Sequence, residues 1–454
     1  MQLPPPFIHS LRDLPGFDEA AFVAVHQSDV QVTSVRINPR KIAAPAFQTG
    51  YEPVPWTDLG YYLASRPSFT FDPLFHAGCY YVQEASSMFL EQALRQTVDL
   101  TKPLKVLDLC AAPGGKTTHI QSLLSKDSLL VSNEVIRSRA AVLKDNIIKW
   151  GAPNIAVTNN DPADFAALPG FFDVVVVDAP CSGSGLFRRD ETAITEWSEH
   201  SVALCSQRQQ RILADILPAL REGGLLVYST CSYSKEEDED ILKWLGTEME
   251  LEGVALDPEP GWNVVTVKEG SDFGYRFWPH LLRGEGFFMS VFRKKGAAGR
   301  PEKYRMKQKP LSVKETGVLA RWISTAERQF VIFGGRIYAW PDALCEALDL
   351  LAGKMKVVYS GVLVGELVRD KLIPDHALAL SGLTPDTVAR AALSREEAIR
   401  YLQRKELVLE ATQKGWQLAV FAGHPLGWMN VLPNRVNNYY PRELRILKER
   451  APGE

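Results

Sequence analysis

The sequence predicts an α/β fold built on a parallel, doubly wound sheet, with smaller units attached at both ends. Three observations predict it. From Leu104 to Arg293, strand-like apolar runs alternate with helical stretches, the rhythm of parallel strands joined by helical crossovers. Acidic residues recur where those strands should end, the edge at which open parallel sheets bind ligands. The chain has 454 residues, more than one ordinary domain uses, so further units must flank the sheet.

The elements follow in order. Up to about residue 80, proline, aromatic residues and short apolar runs mix in a pattern that fits a small N-terminal domain, taken as residues 1–85. The domain that carries the main sheet is expected over 86–295. Lys105-Val106-Leu107-Asp108-Leu109 reads as its first strand and Leu129 to Glu134 as its second. A helix from Arg137 to Trp150 follows, with Gly151 placed to end it. Phe172-Asp173-Val174-Val175-Val176-Val177-Asp178 is a buried strand by its β-branched content. A long helix then sets Ile212, Ile216 and Leu220 on one face, and Gly223-Gly224 leads into Leu225 to Thr230. Gly284 to Arg293 is a late strand. A basic linker is expected over 296–310, a small α+β unit over 311–380, and a last unit over 381–454.

Composition narrows the class. With 46% hydrophobic and 23% charged residues, and no apolar run long enough to span a bilayer, the chain reads as a globular protein of the cytoplasm with no membrane partner, expected as a monomer. Its six cysteines (79, 110, 181, 205, 231 and 345) have no zinc-type or redox-type spacing, so no metal site is expected. A net charge of −3 requires any nucleic-acid surface to be local. One such stretch runs from Arg293-Lys294-Lys295 through Arg300, Lys303, Arg305, Lys307 and Lys309, with Glu302 its only acid. It reads first as a solvated linker, a role compatible with RNA contact.

The first chemical site is Asp108-Leu109-Cys110-Ala111-Ala112-Pro113-Gly114-Gly115-Lys116-Thr117-Thr118, which closes a strand and opens a helix. Small residues let a ligand approach the backbone, and a helix N-terminus favours a negative group. The adjacent glycines fit neither the dinucleotide nor the P-loop spacing. Glu134, Asp161 and Asp178 stand at the next three strand ends, where an acid can accept hydrogen bonds from ribose hydroxyls. Four acids at four strand ends point to a nucleoside cofactor.

The second site narrows the chemistry. Asp178-Ala179-Pro180-Cys181-Ser182-Gly183 and Ser229-Thr230-Cys231-Ser232-Tyr233-Ser234 each carry a cysteine to the same edge. Carbon 5 of cytosine is too weak a nucleophile to accept a methyl group unaided, and a thiolate adding to carbon 6 makes it enamine-like. Most lone cysteines are small core hydrophobes, the role expected of Cys79, Cys205 and Cys345, while Cys110 is expected to pack or to wall the pocket. Cys181 and Cys231 instead sit in polar strand-end loops.

These motifs resemble the Sun family of RNA cytosine-5 methyltransferases. The resemblance also covers Tyr81 to Met88, and Gly185 to Asp190 with Trp197. It implies a Rossmann-like sheet that binds S-adenosylmethionine through Cys110, Ala111, Ala112, Pro113, Gly114, Gly115 and Lys116, with Glu134, Asp161 and Asp178. It implies Cys231 as the nucleophile, Cys181 as the residue that assists product release, and Asp178 as a contact to the cytosine edge and the cofactor. The tail, Gly423 to Trp428 and Asn437 to Arg442, is similar to the PUA-like RNA-binding region of the bacterial RsmF type, which acts on 16S ribosomal RNA; Asn437 stands where a lysine is expected. The partner implied is ribosomal RNA or the small subunit, with the target base unpaired or flipped out. The unit 1–85 is expected as the family's N-terminal, RNA-binding domain, and Arg36 and Asn38 match its pattern and are expected near RNA. Arg188 and Arg189 are expected either to hold a phosphate or to be solvated loop charges. Two rivals are a DNA cytosine-5 methyltransferase, with Cys181 as nucleophile, and a non-catalytic RNA-binding assembly factor.

Overall fold

In the computed structural model, residues 3–449 are described apart from 29, 46, 48, 49, 307–310, 408 and 410–412. Lys307 and Lys309 of the basic stretch therefore lie outside the described residues. Five parallel strands form the middle of the central sheet: β1 (Lys105–Asp108), β2 (Leu129–Asn133), β3 (Ile155–Thr158), β4 (Phe172–Asp178) and β5 (Leu220–Thr230). Their order, β3-β2-β1-β4-β5, reverses between β1 and β4. The crevice beyond the carboxyl ends of those two strands is where such sheets take ligands.

The strands alternate as a sheet buried on both faces requires. Val174 and Val176 enter one core layer, Val175 and Val177 the other, and Val106/Leu107 and Leu130/Val131 divide in the same way. The covering helices include α1 (Gly115–Leu123), α2 (Arg137–Trp150), α3 (Glu199–Ile216) and α4 (Glu239–Glu248). Helix α2 ends as predicted at Gly151, whose φ of +84° suits glycine. Leu220, expected on the face of α3, is instead the first residue of β5, because Pro218 cannot continue the helix. Antiparallel strands widen the sheet: β6 (Leu251–Gly253), β7 (Val265–Glu269), β8 (Asp272–Phe277) and β9 (Phe287–Lys294) on the β5 side. On the other side β10 (Val357–Ser360) pairs with β3. The segment 311–380 thus reaches back to cover what would otherwise be an open sheet edge.

An N-terminal sheet of four strands, Thr33–Ile37, Tyr51–Pro53, Gly60–Leu63 and Tyr80–Val82, packs beside α1. Arg36 and Asn38 belong to this joint and are fully buried, not facing RNA. Arg36 donates to Gln83, Ser122, the Gly115 carbonyl and Thr118, and Asn38 donates to the carbonyls of Gly78 and Trp150. Two further four-stranded sheets follow the catalytic region, one spanning Arg328 to Pro374 and one Arg390 to Asn438. Among the described residues, no helix is long and apolar enough to cross a membrane.

Candidate active site

The first strand hands over to α1 through a cradle of small residues. The Ala112–Pro113 peptide is cis and Gly114 holds φ at +113°, a conformation that side chains resist. The cradle is tied to its surroundings at every step. Ala111 donates its N–H to the Asn133 carbonyl at 2.9 Å, Arg139 donates to the Ala112 carbonyl at 2.9 Å, and Asn146 to the Pro113 carbonyl at 2.8 Å. Below it, Asp108 is fully buried. One of its oxygens accepts the Thr117 hydroxyl at 2.6 Å, and the other has no hydrogen-bond partner among the described residues. Burial pushes this carboxyl up to about 7; Thr117 and Lys116 oppose the rise and Asp178 and Glu134 add to it.

The other predicted acids divide. Glu134 directly follows β2, buried, accepting the Ile136 N–H at 2.9 Å and lying 3.4 Å from Arg139. Asp178 ends β4, with one oxygen 2.8 Å from the Lys116 ammonium and the other accepting the Ser229 hydroxyl at 2.9 Å. Burial would lower the Lys116 pKa, but Asp178, with Cys231 and Asp108, outweighs it and raises it. Asp161 lies past the end of β3, where it caps a short 3-10 helix through the Ala163 N–H and pairs with Arg211 at 3.4 Å. Cys110 sits in the cradle, where burial pushes its thiol far up.

The loops after β4 and β5 bring Cys181 and Cys231 together, sulfur to sulfur at 3.1 Å, although fifty residues separate them. The hydrogen bond to Cys231 and then burial hold the Cys181 thiol well above its ordinary value. Close approach makes this possible. Gly185 donates its N–H to the Cys231 carbonyl at 2.8 Å, and a Cβ on Gly185 would lie 2.6 Å from that oxygen.

The sequence reading missed what clamps the loops. Glu237 accepts the Ser182 N–H at 2.8 Å, the Ser182 hydroxyl at 2.5 Å, the Ser232 hydroxyl at 2.7 Å and the Gln209 amide at 3.1 Å. One carboxylate thus holds the neighbours of both cysteines, and burial pushes its pKa up against those bonds. Asp238 accepts the Thr230 hydroxyl at 2.6 Å, and Arg276 binds Asp238, Glu239 and the Tyr233 carbonyl. The signal available was the acidic run Glu236 to Asp240 just after the second cysteine motif, although such a run normally reads as solvated surface.

Arg188 fits neither expectation. Its side chain is 7% exposed, 3.3 Å from Glu285, and donates to the carbonyls of Gly284 and Val30. Arg189 is more open, 3.4 Å from Glu285 and bonded to the Val32 carbonyl. Of the basic stretch, Lys294 is spent on the carbonyls of Leu217 and Leu220, and Arg293 on that of Gly223.

Comparison with known proteins fits this geometry. Residues 96–293 match the family described as 16S rRNA methyltransferase RsmB/F, residues 3–85 the N-terminal domain of 16S rRNA methyltransferase RsmF, and residues 389–446 the methyltransferase RsmF PUA domain. Ribosomal RNA small subunit methyltransferase F of Shewanella loihica is 30% identical over 98% of this chain and 96% of its own. A methyltransferase homolog protein from Pyrococcus horikoshii is 27% identical with a TM-score of 0.52, covering 64% of this chain and all of its own. NSun6 from the same organism, solved with SFG, shares the fold at 19% identity and a TM-score of 0.55, covering 64% of this chain and 98% of its own. The methyl donor is S-adenosylmethionine, and the residues fit it: a cradle of small residues with Gly114 at φ +113°, a buried Asp108 oxygen with no hydrogen-bond partner among the described residues, and Glu134 just past the next strand. With identity at this level across nearly its whole length, the chain belongs to the family of ribosomal RNA small subunit methyltransferase F.

Proposed function

We propose that the protein methylates carbon 5 of a cytosine in small-subunit ribosomal RNA through a covalent bond from Cys231 to the base. The observation that carries this reading is the pair of sulfurs 3.1 Å apart at the carboxyl edge of the sheet, beside Asp178 and Lys116. S-adenosylmethionine, when bound, supplies an electrophilic methyl group. Cys231, as thiolate, adds to carbon 6 of the cytosine and makes carbon 5 nucleophilic. Once carbon 5 carries the methyl group, a base takes its proton, and the electrons of that C–H bond re-form the carbon 5–carbon 6 double bond as the Cys231 thiolate departs. Cys181 assists this release. Asp178, which Lys116 and Ser229 hold by its two oxygens, contacts the cytosine edge and the cofactor in this reading. Cys110 through Lys116, Glu134 and Asp161 form the cofactor pocket. The unit 1–85 braces the catalytic region 86–295, and 381–454 binds RNA.

Covalent trapping on RNA containing 5-fluorocytosine, with S-adenosylmethionine present, tests the roles, because the departing proton is replaced by fluorine and the adduct persists. Wild type and Cys181→Ala should trap RNA, and Cys231→Ala should not. Trapping by Cys231→Ala but not by Cys181→Ala would make Cys181 the nucleophile, as in the DNA-enzyme reading. No adduct from any form, wild type included, would favour a non-catalytic binding role.

A further inference from the structure

A second cavity lies between the sheet spanning Arg328 to Pro374 and the C-terminal sheet. It has a volume of about 410 Å³ and is walled by Trp322 and Trp416 and rimmed by Arg321, Lys371 and Lys414. That volume falls within the range of small-ligand pockets. None of its residues belongs to the cofactor cradle or the cysteine loops.

We propose that this cavity anchors one unpaired nucleotide of the RNA away from the target cytosine, with the base against the two tryptophans and a phosphate among the three cations. The proposal rests on the reading of RNA as substrate. Trp322 and Trp416 stand nearly perpendicular at 6.3 Å, so together they offer a ring face and a ring edge. Both are only partly buried, whereas Trp428 behind them is 1% exposed and donates its indole N–H to the Asp375 carbonyl. Trp428 therefore fixes the two outer rings from within, at 5.6 and 6.5 Å. Tyr439, an exposed residue of the tail motif, extends the aromatic surface at 4.3 Å from Trp416. Stacking of this kind holds any base, which suits an anchor and not a sequence reader.

The charges favour a nucleotide over an apolar peptide. Arg321, Lys371 and Lys414 are all exposed. The lining acid, Asp370, is paired with Lys314 at 2.5 Å and leaves the rim cationic. The hairpin that presents Lys371 turns through Arg369 and Asp370 at φ of +49° and +63°. That turn commonly uses asparagine, aspartate or glycine, so an arginine there keeps charge at some conformational cost.

The test uses the full chain and 16S ribosomal RNA transcribed with 5-iodouridine. Photo-crosslinked peptides should include Trp322 or Trp416. Trp416→Ala should weaken RNA binding roughly 10- to 100-fold. Lys371→Glu with Lys414→Glu, two surface changes that leave packing alone, should also weaken binding and flatten its salt dependence. In methylation assays both should raise KM and leave kcat in place. If the wild type methylates the RNA while both variants bind as tightly and no crosslink maps to the tryptophans, the site is overturned and the RNA reading stands. If the wild type retains no RNA, the RNA reading falls and the site falls with it.

Discussion

At the scale of single residues, Asp108 has a measurable signature. It is fully buried, accepts one hydroxyl, and burial holds it protonated up to about pH 7. In the unfolded chain an aspartate ionises near 4. Between these values the unfolded state has released the proton and the folded state has not, so folding stability falls as pH rises from about 4 to about 7. The cost is fully present above about 7, absent below about 4, and of order 4 kcal/mol if the whole interval applies. Asp108→Asn keeps an acceptor for Thr117 and removes the titration. Urea unfolding of the cofactor-free protein from pH 4.5 to 7.5 should show the variant gaining on the wild type as pH rises. A constant difference across that range would mean that Asp108 ionises as an ordinary carboxylate. Glu237 belongs at this scale too, since one side chain serves both cysteine loops.

At the scale of elements, the site is made by two loops meeting, and Gly185 sets how closely they meet. A Cβ there would press on the carbonyl oxygens of Cys231 and Gly286, both 2.6 Å away. Gly185→Ala should therefore displace the Cys231 loop, costing roughly 1–3 kcal/mol of stability by overpacking. It should lower kcat more than it raises KM, and S-adenosylmethionine binding by calorimetry should stay near wild type because the cradle is on another loop. Unchanged kcat would show that the loops tolerate a wider gap. This also explains what the sequence made legible. Strands β1, β2 and β4 and helix α2 were readable because burial on both faces and a glycine stop leave local patterns in the chain. The positions of the cradle and both cysteines were readable from another local pattern, small or polar residues at strand ends. The distance between Cys181 and Cys231 was not readable, and neither were the roles of Glu237 and Arg276. Those depend on partners far along the chain, and buried carboxylates satisfied by serines look in sequence like surface charge. Leu220 failed because helical spacing continued past Pro218 into a strand.

At the scale of the whole molecule, helix α1 is braced from the N-terminal sheet. Arg36, from the N-terminal sheet, reaches across to the Gly115 carbonyl at the start of α1, to Thr118 and Ser122 along it, and to Gln83 on its own side. Its guanidinium also lies 4.7 Å over the Trp150 ring at the end of α2. Arg36→Ala would remove four hydrogen bonds from a buried joint and take from the Gln83 side-chain oxygen its donor, while Gly115, Thr118 and Ser122 keep bonds among themselves. A buried polar group left without a partner costs about 1–3 kcal/mol, and the emptied space adds to it, so Tm should fall. The opening turn of α1 would lose its outer support, so S-adenosylmethionine binding should weaken as well. RNA affinity measured well below Tm should stay near wild type, because a fully buried arginine offers RNA nothing. An arginine on an RNA surface would show the reverse pattern, with unchanged Tm, unchanged cofactor binding and a smaller salt dependence of RNA binding. Thermal melts, cofactor calorimetry and an RNA titration on one variant therefore separate a brace from a contact, and only the first pattern fits a side chain that holds two domains together.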